Sequence, residues 1–231
     1  MTNIKIFGFS GKIGVGKNYV SEQIFGRKLY NLGYNVHIMA VADQTKYELG
    51  SRFSLVPEND FIKCMDETFN ELFINKSAST RIKLQTYGTE YCRNGGTLNI
   101  KDKFEMYNQP NIWVKGLYLQ IKNILLKSYD TSKDVFIITD VRFTNEVEFI
   151  KMMSGVVVRI CSDTRNQEKL LEEANKNYKT PDEINNFITK IKTHESETNL
   201  DNYKFDYIIN NEPDNFNVET QIEEIIKNFF M

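Results

Sequence analysis

The sequence predicts an α/β fold with a parallel central sheet flanked by helices. Three observations predict it: two buried-strand runs separated by a helical pattern near the start, a glycine-rich loop at the first strand-to-helix junction, and β-branched runs alternating with helical patterns further on. Residues 4–9 read as a short buried strand that ends at the glycine-rich residues 11–16. Val20, Ile24, Leu29 and Leu32 then recur at helical spacing, with Gly33 as the C-cap. Residues 35–42 (NVHIMAVA) read as a second buried strand, ending in Asp43. Such a strand–loop–helix–strand opening is a βαβ unit, whose crossover requires parallel pairing.

Residues 43–128 read as mostly helical, with interruptions around Gly95–Gly96 and Gln109–Pro110. Residues 135–139 (VFIIT) form a β-branched central strand, followed by a helix over 145–153 and a strand over 156–160 (VVVRI). Residues 162–193 are polar, charged and weakly periodic, which predicts a helical hairpin or mobile cover rather than core. A last strand covers 206–210, and Val218, Ile222, Ile225, Ile226 and Phe229 mark the apolar stripe of a closing helix. No repeat or low-complexity linker divides the chain. It therefore reads as one domain over 1–231, with a helical acceptor-binding region over 44–130 and a lid-like insertion over 162–197.

Composition narrows the function classes. Length suits one sizeable domain, and 41% hydrophobic with 26% charged residues is the balance of a water-soluble globular protein. A net charge of −2 provides no broad field for a nucleic-acid backbone, so stable nucleic-acid binding is not expected. Cys64, Cys92 and Cys161 are odd in number and far apart, against a disulfide framework. Two histidines, His37 and His194, leave little for a zinc site. No signal-peptide pattern and no run of membrane-spanning length occur, so a cytoplasmic compartment and no membrane partner are expected. Arg27, Lys28 and Tyr30 on the first helix serve either solubility or a homodimer face, and nothing in the sequence separates the two.

The strongest local signal is Gly11-Lys12-Ile13-Gly14-Val15-Gly16-Lys17-Asn18, followed by Tyr19. It matches G-x-x-x-x-G-K between a strand and a helix, the phosphate-binding P-loop. Glycines let backbone N–H groups turn toward phosphate oxygens, and the helix N-terminus adds its dipole. Lys17 then supplies a point charge to the β- and γ-phosphates. The reading implies ATP and Mg2+ as cofactors. Asn18 stands where Ser or Thr usually ligates the metal, and its carbonyl oxygen is a weaker ligand or one that acts through water. A guanine-reading N-K-x-D is missing, since Asn75-Lys76-Ser77 continues into Ala78. Asp140-Val141-Arg142-Phe143 is likewise no D-x-x-G switch, so a GTPase is not expected.

Further blocks carry a family resemblance. They are Ala42-Asp43-Gln44-Thr45-Lys46, the stretch 84–93 (LQTYGTEYCR), Trp113 after Gln109-Pro110, the stretch 139–146 (TDVRFTNE), His194-Glu195-Ser196-Glu197 and the stretch 205–211 (FDYIINN). In this order, with the P-loop, the chain resembles deoxynucleoside monophosphate kinases of bacteriophages and large DNA viruses over residues 4–211. The resemblance implies transfer of the γ-phosphoryl group of ATP to a deoxynucleoside monophosphate (dNMP), in host cytoplasm if the chain is viral. Animal-type phosphomevalonate kinase is similar in outline and is the alternative. A nucleotide-binding regulatory protein without turnover is a third reading, favoured by Asn18. A nucleic-acid ATPase fragment is disfavoured by the short single domain and by the charge balance.

On this reading Lys17 is the main catalytic charge. Asp140 ends the central strand as a carboxylate able to hold a Mg2+ water, and Arg142 neutralises phosphate charge. Arg81, Gln85 and Arg93 are acceptor-site candidates: an Arg fork holds phosphate bidentately and a Gln amide pairs with a base edge. Asp43 either serves the site or caps the following helix, and Lys46 either faces the acceptor phosphate or lies on the surface. Trp113 either stacks on a nucleobase or is core. Arg165 either closes over the phosphates on a lid or is a solvated loop residue. Glu146 and Glu148 read as ordinary helix residues. His194 and Glu197 match the resemblance but take no chemical role from the sequence, and neither base choice nor ribose discrimination is legible.

Overall fold

Alternation of apolar side chains along parallel strands builds the molecule in layers. The computed structural model describes residues 4–43, 78–91, 93, 111–215 and 217–230. Its sheet comprises β1 (Lys5–Ser10), β2 (Asn35–Met39), β3 (Asp134–Val141), β4 (Val156–Cys161) and β5 (Tyr207–Asn210). The strands lie in the order β2-β3-β1-β4-β5, and every pairing is parallel. Side chains alternate sides with a period of two, so a strand covered on both faces must be apolar throughout. Ile6, Phe136, Ile138 and Val157 point to one face, against Trp113, Leu117 and Ile121 of α5 (Ile112–Lys127) and Val147 and Ile150 of α6 (Thr144–Met152). Phe7, Phe9, Val135, Ile137, Val158 and Ile160 point to the other. There they meet Val20, Ile24 and Phe25 of α1 (Tyr19–Gly26), Leu29 of α2 (Arg27–Asn31), and Val218, Ile222, Ile225 and Ile226 of α10 (Val218–Phe230). Each such side chain stabilises the fold by about 1.5–3 kcal/mol when fully buried.

Gly8 sits where β1 meets α6 closely. A Cβ there would lie 2.4 Å from Ile150 Cδ1 and 2.9 Å from Val141 Cγ2. Gly8→Ala is therefore expected to lower stability by about 1–3 kcal/mol through overpacking. A denaturant titration would register it as a lower midpoint with an unchanged slope.

Several boundaries differ from the sequence reading, each for a local reason. The first helix opens as a π-helical segment, in which the Arg27 N–H donates to the Glu22 carbonyl five residues back. That wider turn rotates later positions off an ideal stripe, and Leu32 is half exposed after α2 ends at Asn31. Residues 40–42 are not strand: β2 stops at Met39, and the Val41 and Ala42 N–H groups turn to the Asp140 carboxylate at 2.6 and 2.9 Å. Phe229 leaves the buried stripe of α10 and is 43% exposed, with its ring edge against Phe7.

Residues 162–193 form a packed pair of helices, α7 (Asp163–Asn177) and α8 (Pro181–Thr193). Ser162 and Thr180 cap their N-termini by accepting the N–H groups of Arg165 and Glu183. Their few apolar residues fall four apart, Leu170 with Ala174 and Phe187 with Ile191, and bury a cluster that also takes in Ile13. The segment thus has a core of its own. It leads to the single-turn helix α9 (Glu195–Thr198). Two helices, α3 (Ala78–Gln85) and the π-helical α4 (Thr86–Tyr91), precede α5. The sequence readings for 44–77 and 94–110, with Lys46, Cys64, Gly95–Gly96 and Gln109–Pro110, lie outside the described residues, as does Cys92. Among the described residues no helix is long and apolar enough to cross a membrane.

Candidate active site

Strand β1 lies between β3 and β4, so the loop that follows it emerges at the middle of the C-terminal edge of the sheet. In open α/β sheets this edge is where ligands bind. Neighbouring elements hold the loop's shape. Asn166 on α7 donates its amide to the Ile13 carbonyl at 2.6 Å, and Asn211 after β5 donates to the Val15 carbonyl at 2.8 Å. Gly16 has φ +86°, and a Cβ there would sit 2.4 Å from the Asn211 amide nitrogen, so both backbone and space require glycine. Asn18 follows at the mouth of α1, where the Val20 N–H bonds the Gly16 carbonyl.

Lys17 is buried, and its ammonium donates to the Gly11 and Lys12 carbonyls at 2.8 Å each. Burial, with Arg142 nearby, pushes its pKa down from 10.5 to about 7. Lys12 reaches outward to Asp201 at 3.1 Å, and Tyr19 is exposed.

A cavity of about 270 Å³ opens beside the loop. It brings Ile13, Gly14, Lys17 and Asn18 together with Arg81, Gln85, Arg93, Trp113, Asp140 and Arg142, although those residues come from six different elements or loops. Lys12, Tyr19, Asp43 and Arg165 do not line it. Asp43 lies in the helical residues 41–43 after β2, its N–H on the Ala40 carbonyl at 3.2 Å. Arg165, in the first turn of α7, donates its Nε to the Asn211 carbonyl at 2.8 Å. Trp113 is core by burial at 2% exposure, with its indole N–H on the Gly88 carbonyl at 3.0 Å, and it still contributes to the cavity wall.

Each arginine of the cavity holds a glutamate from a different helix. Arg81 forms a two-pronged pair with Glu173 of α7, both contacts at 2.8 Å. Arg93 pairs with Glu146 of α6 and lies over the Phe143 ring at 4.0 Å. Arg142 pairs with Glu197 of α9 and donates to the Ser196 carbonyl at 3.1 Å. Glu146, which the sequence presents as an ordinary helix residue, is buried and also accepts the N–H groups of Arg142 and Phe143 at 2.7 and 3.2 Å. Burial raises its pKa against the opposing pull of Arg93. Glu197 is buried as well. Desolvation works against its charge, yet Arg142 and Lys17 outweigh it and hold the carboxyl below its ordinary range. Arg142 is shifted up, with burial opposing and Glu197 prevailing.

Glu197, Glu173, Asn166 and Asn211 are site-building residues that sequence reasoning did not assign. Asn211 directly follows the last strand, a position that could have flagged it. Glu197 stands in the His194–Glu197 block that carries the resemblance, without a role; for Glu173 and Asn166 the sequence offers only polar residues in a polar stretch.

The parallel five-stranded sheet, with a glycine-rich loop leading from its central strand into a helix, is a P-loop NTPase fold. No protein-family model and no curated protein matches the chain. Among solved structures it aligns with shikimate kinase from Bacteroides thetaiotaomicron at 15% identity and TM-score 0.42, over 99% of each chain. It also aligns with shikimate kinase from Acinetobacter baumannii in complex with shikimate, at 12% identity and TM-score 0.38, over 100% of this chain and 97% of that one.

Proposed function

We propose that the chain is a phosphotransferase that moves the γ-phosphoryl group of ATP onto a deoxynucleoside 5′-monophosphate, yielding ADP and a deoxynucleoside diphosphate. One observation carries the reading: a single cavity joins the phosphate loop to Arg81, Arg93 and Arg142. A loop that cradles a nucleotide's phosphates and a wall of guanidinium forks suit two phosphorylated reactants meeting in line. The acceptor phosphate has its second pKa near 6 and is mostly dianionic at neutral pH, so it attacks without a strong general base. Lys17 and Arg142 then offset charge on the transferring group, while Arg81 and Arg93 orient the acceptor and Gln85 meets its base. Trp113 forms part of the wall that a base would face.

The donor set fits a magnesium ion held largely through its own waters. Asp140 spends one lone pair per oxygen on the Val41 and Ala42 N–H groups and keeps the others, and Asn18 lines the same cavity. When bound, Mg2+ would neutralise charge developing on the phosphates. The α7–α8 pair packs against Ile13 of the loop, which supports a role in shielding the phosphates from water that would otherwise divert transfer into hydrolysis.

The test is an ADP-release assay with ATP and Mg2+ that offers dGMP, dTMP, dCMP, dAMP, their ribose forms and phosphomevalonate in parallel. Turnover with one or more deoxynucleotides is the expected result, and it reveals base choice directly. Turnover with phosphomevalonate alone would replace the acceptor named here. ATP binding without acceptor-dependent ADP release would sink the catalytic reading.

A further inference from the structure

The three glutamates that hold the cavity's arginines are not equivalent. Glu173 sits on α7 and spends both oxygens on Arg81, with Lys169 at 3.9 Å from the one that accepts Arg81 Nη2. Glu146 is committed to the start of its own helix through the Arg142 and Phe143 N–H groups. Glu197 differs because one of its oxygens reaches into the phosphate loop and accepts the Ile13 N–H at 2.9 Å, while the other takes the Arg142 guanidinium. A carboxylate bound by a loop N–H and a guanidinium is bound as a phosphate oxygen would be.

The loop's cation is likewise engaged within the chain. Lys17 donates to the Gly11 and Lys12 carbonyls, so the cation and the Ile13 N–H, both suited to phosphate oxygens, already have partners within the chain. Helix α9 is a single turn whose buried residue is Glu197 itself; it is held by the Ser196 N–H on the His194 ring at 3.1 Å, the Arg142–Ser196 contact, and the Thr144 N–H and hydroxyl on Asn199 at its C-terminal end at 2.9 and 3.0 Å. Such a turn can give way at small cost in packing.

We propose that Glu197 is a resident anion at the terminal-phosphate position, holding the Ile13 N–H and Arg142 until a nucleoside triphosphate takes both and displaces α9. The proposal rests on the phosphate-loop reading and refines it. Glu197 is a positioning residue here: it keeps Arg142 aimed and the loop charge-balanced when empty, and it competes with the γ-phosphate but not with a diphosphate that stops short of it. The carboxylate thereby lowers affinity for triphosphate and leaves affinity for diphosphate alone, because only the third phosphate has to displace it from the Ile13 N–H and Arg142.

Glu197→Gln retains an acceptor for the Ile13 N–H and removes the charge. Calorimetric titration with ATP·Mg2+ and with ADP·Mg2+ is expected to show ATP binding about tenfold tighter in the variant, the worth of one charge-assisted contact, with ADP affinity within twofold of wild type. Glu197→Asp should return the ATP-to-ADP affinity ratio toward the wild-type value. If the two nucleotides shift together, or neither shifts, the carboxylate is merely structural and the proposal falls. Hydrogen exchange on the wild-type protein gives an answer that needs no variant. A non-hydrolysable ATP analogue is expected to speed exchange in residues 194–199, and ADP to leave it unchanged; protection of that segment by both would overturn the displacement. A wild-type protein that binds neither nucleotide would remove the phosphate-loop reading itself, an outcome distinct from either of these.

Discussion

Lys17→Met is expected to lower acceptor-dependent ADP release by about 10²–10³-fold, the usual loss when one preorganised charge is removed from a phosphate site. The same substitution should leave the nucleotide-free protein at least as stable as wild type. The reason lies in where the ammonium is held. Burial and the neighbouring Arg142 bring its pKa down from 10.5 to about 7. The folded chain therefore releases this proton near neutrality, whereas the unfolded chain keeps it until about pH 10.5. Between those values the unfolded state binds more protons, so this group makes unfolding free energy rise with pH, and at pH 7 and below its burial as a cation opposes folding. Methionine keeps the stem and removes the penalty.

A linked consequence appears on binding. Triphosphate favours the charged amine, so ATP should draw a proton onto Lys17 when the free protein has lost it. Calorimetry at pH 8 in two buffers of different ionisation enthalpy is expected to show net uptake approaching one proton, absent in Lys17→Met. Equal heats in both buffers would mean that Lys17 is already charged in the free protein.

Glu146→Ala is expected to give the largest loss of stability, about 3–5 kcal/mol, the range for removing one partner from a buried ion pair. The carboxylate is 2% exposed, pairs with Arg93, itself 7% exposed, and satisfies two N–H groups at the start of α6. Alanine leaves the Arg93 guanidinium, pressed on the Phe143 ring and still donating to Asn145 at 3.2 Å, without its buried counter-charge, and two N–H groups without their acceptor. For a chain of this size, 1 kcal/mol moves the melting temperature by about 2–4 °C, so a drop of roughly 10 °C should be visible in a thermal scan. Glu146→Gln, which keeps one acceptor oxygen for the Arg142 and Phe143 N–H groups and removes the charge, should fall between wild type and the alanine variant. A melting temperature within 2–3 °C of wild type for the alanine variant would mean that the pair contributes little, and Arg93 would then have to be satisfied by other groups.

What was legible in the sequence follows how local each signal is. The strands could be read because alternation places Phe7 and Phe9 on one face and Ile6 on the other within a few residues. The phosphate loop could be read because its glycines, lysine and flanking elements form one contiguous stretch. Even the extent of α10 was readable from Val218, Ile222, Ile225 and Ile226, though not the exposure of Phe229 at its end. The π-helical turn of α1 was not readable, because its apolar spacing fits an α-helix equally well.

The sequence by itself determined the layered α/β architecture and the glycine-rich loop that leads from β1 into α1. The tertiary structure alone decided which groups complete the loop and which charges are paired. Asn166 and Asn211 reach Ile13 and Val15 from 153 and 196 residues away, and Glu197 reaches the Ile13 N–H from 184. Glutamates in polar stretches look alike in a sequence. Whether one is solvated, or buried against a guanidinium with its charge maintained, depends on desolvation and Coulomb attraction across contacts that exist only once the chain has closed.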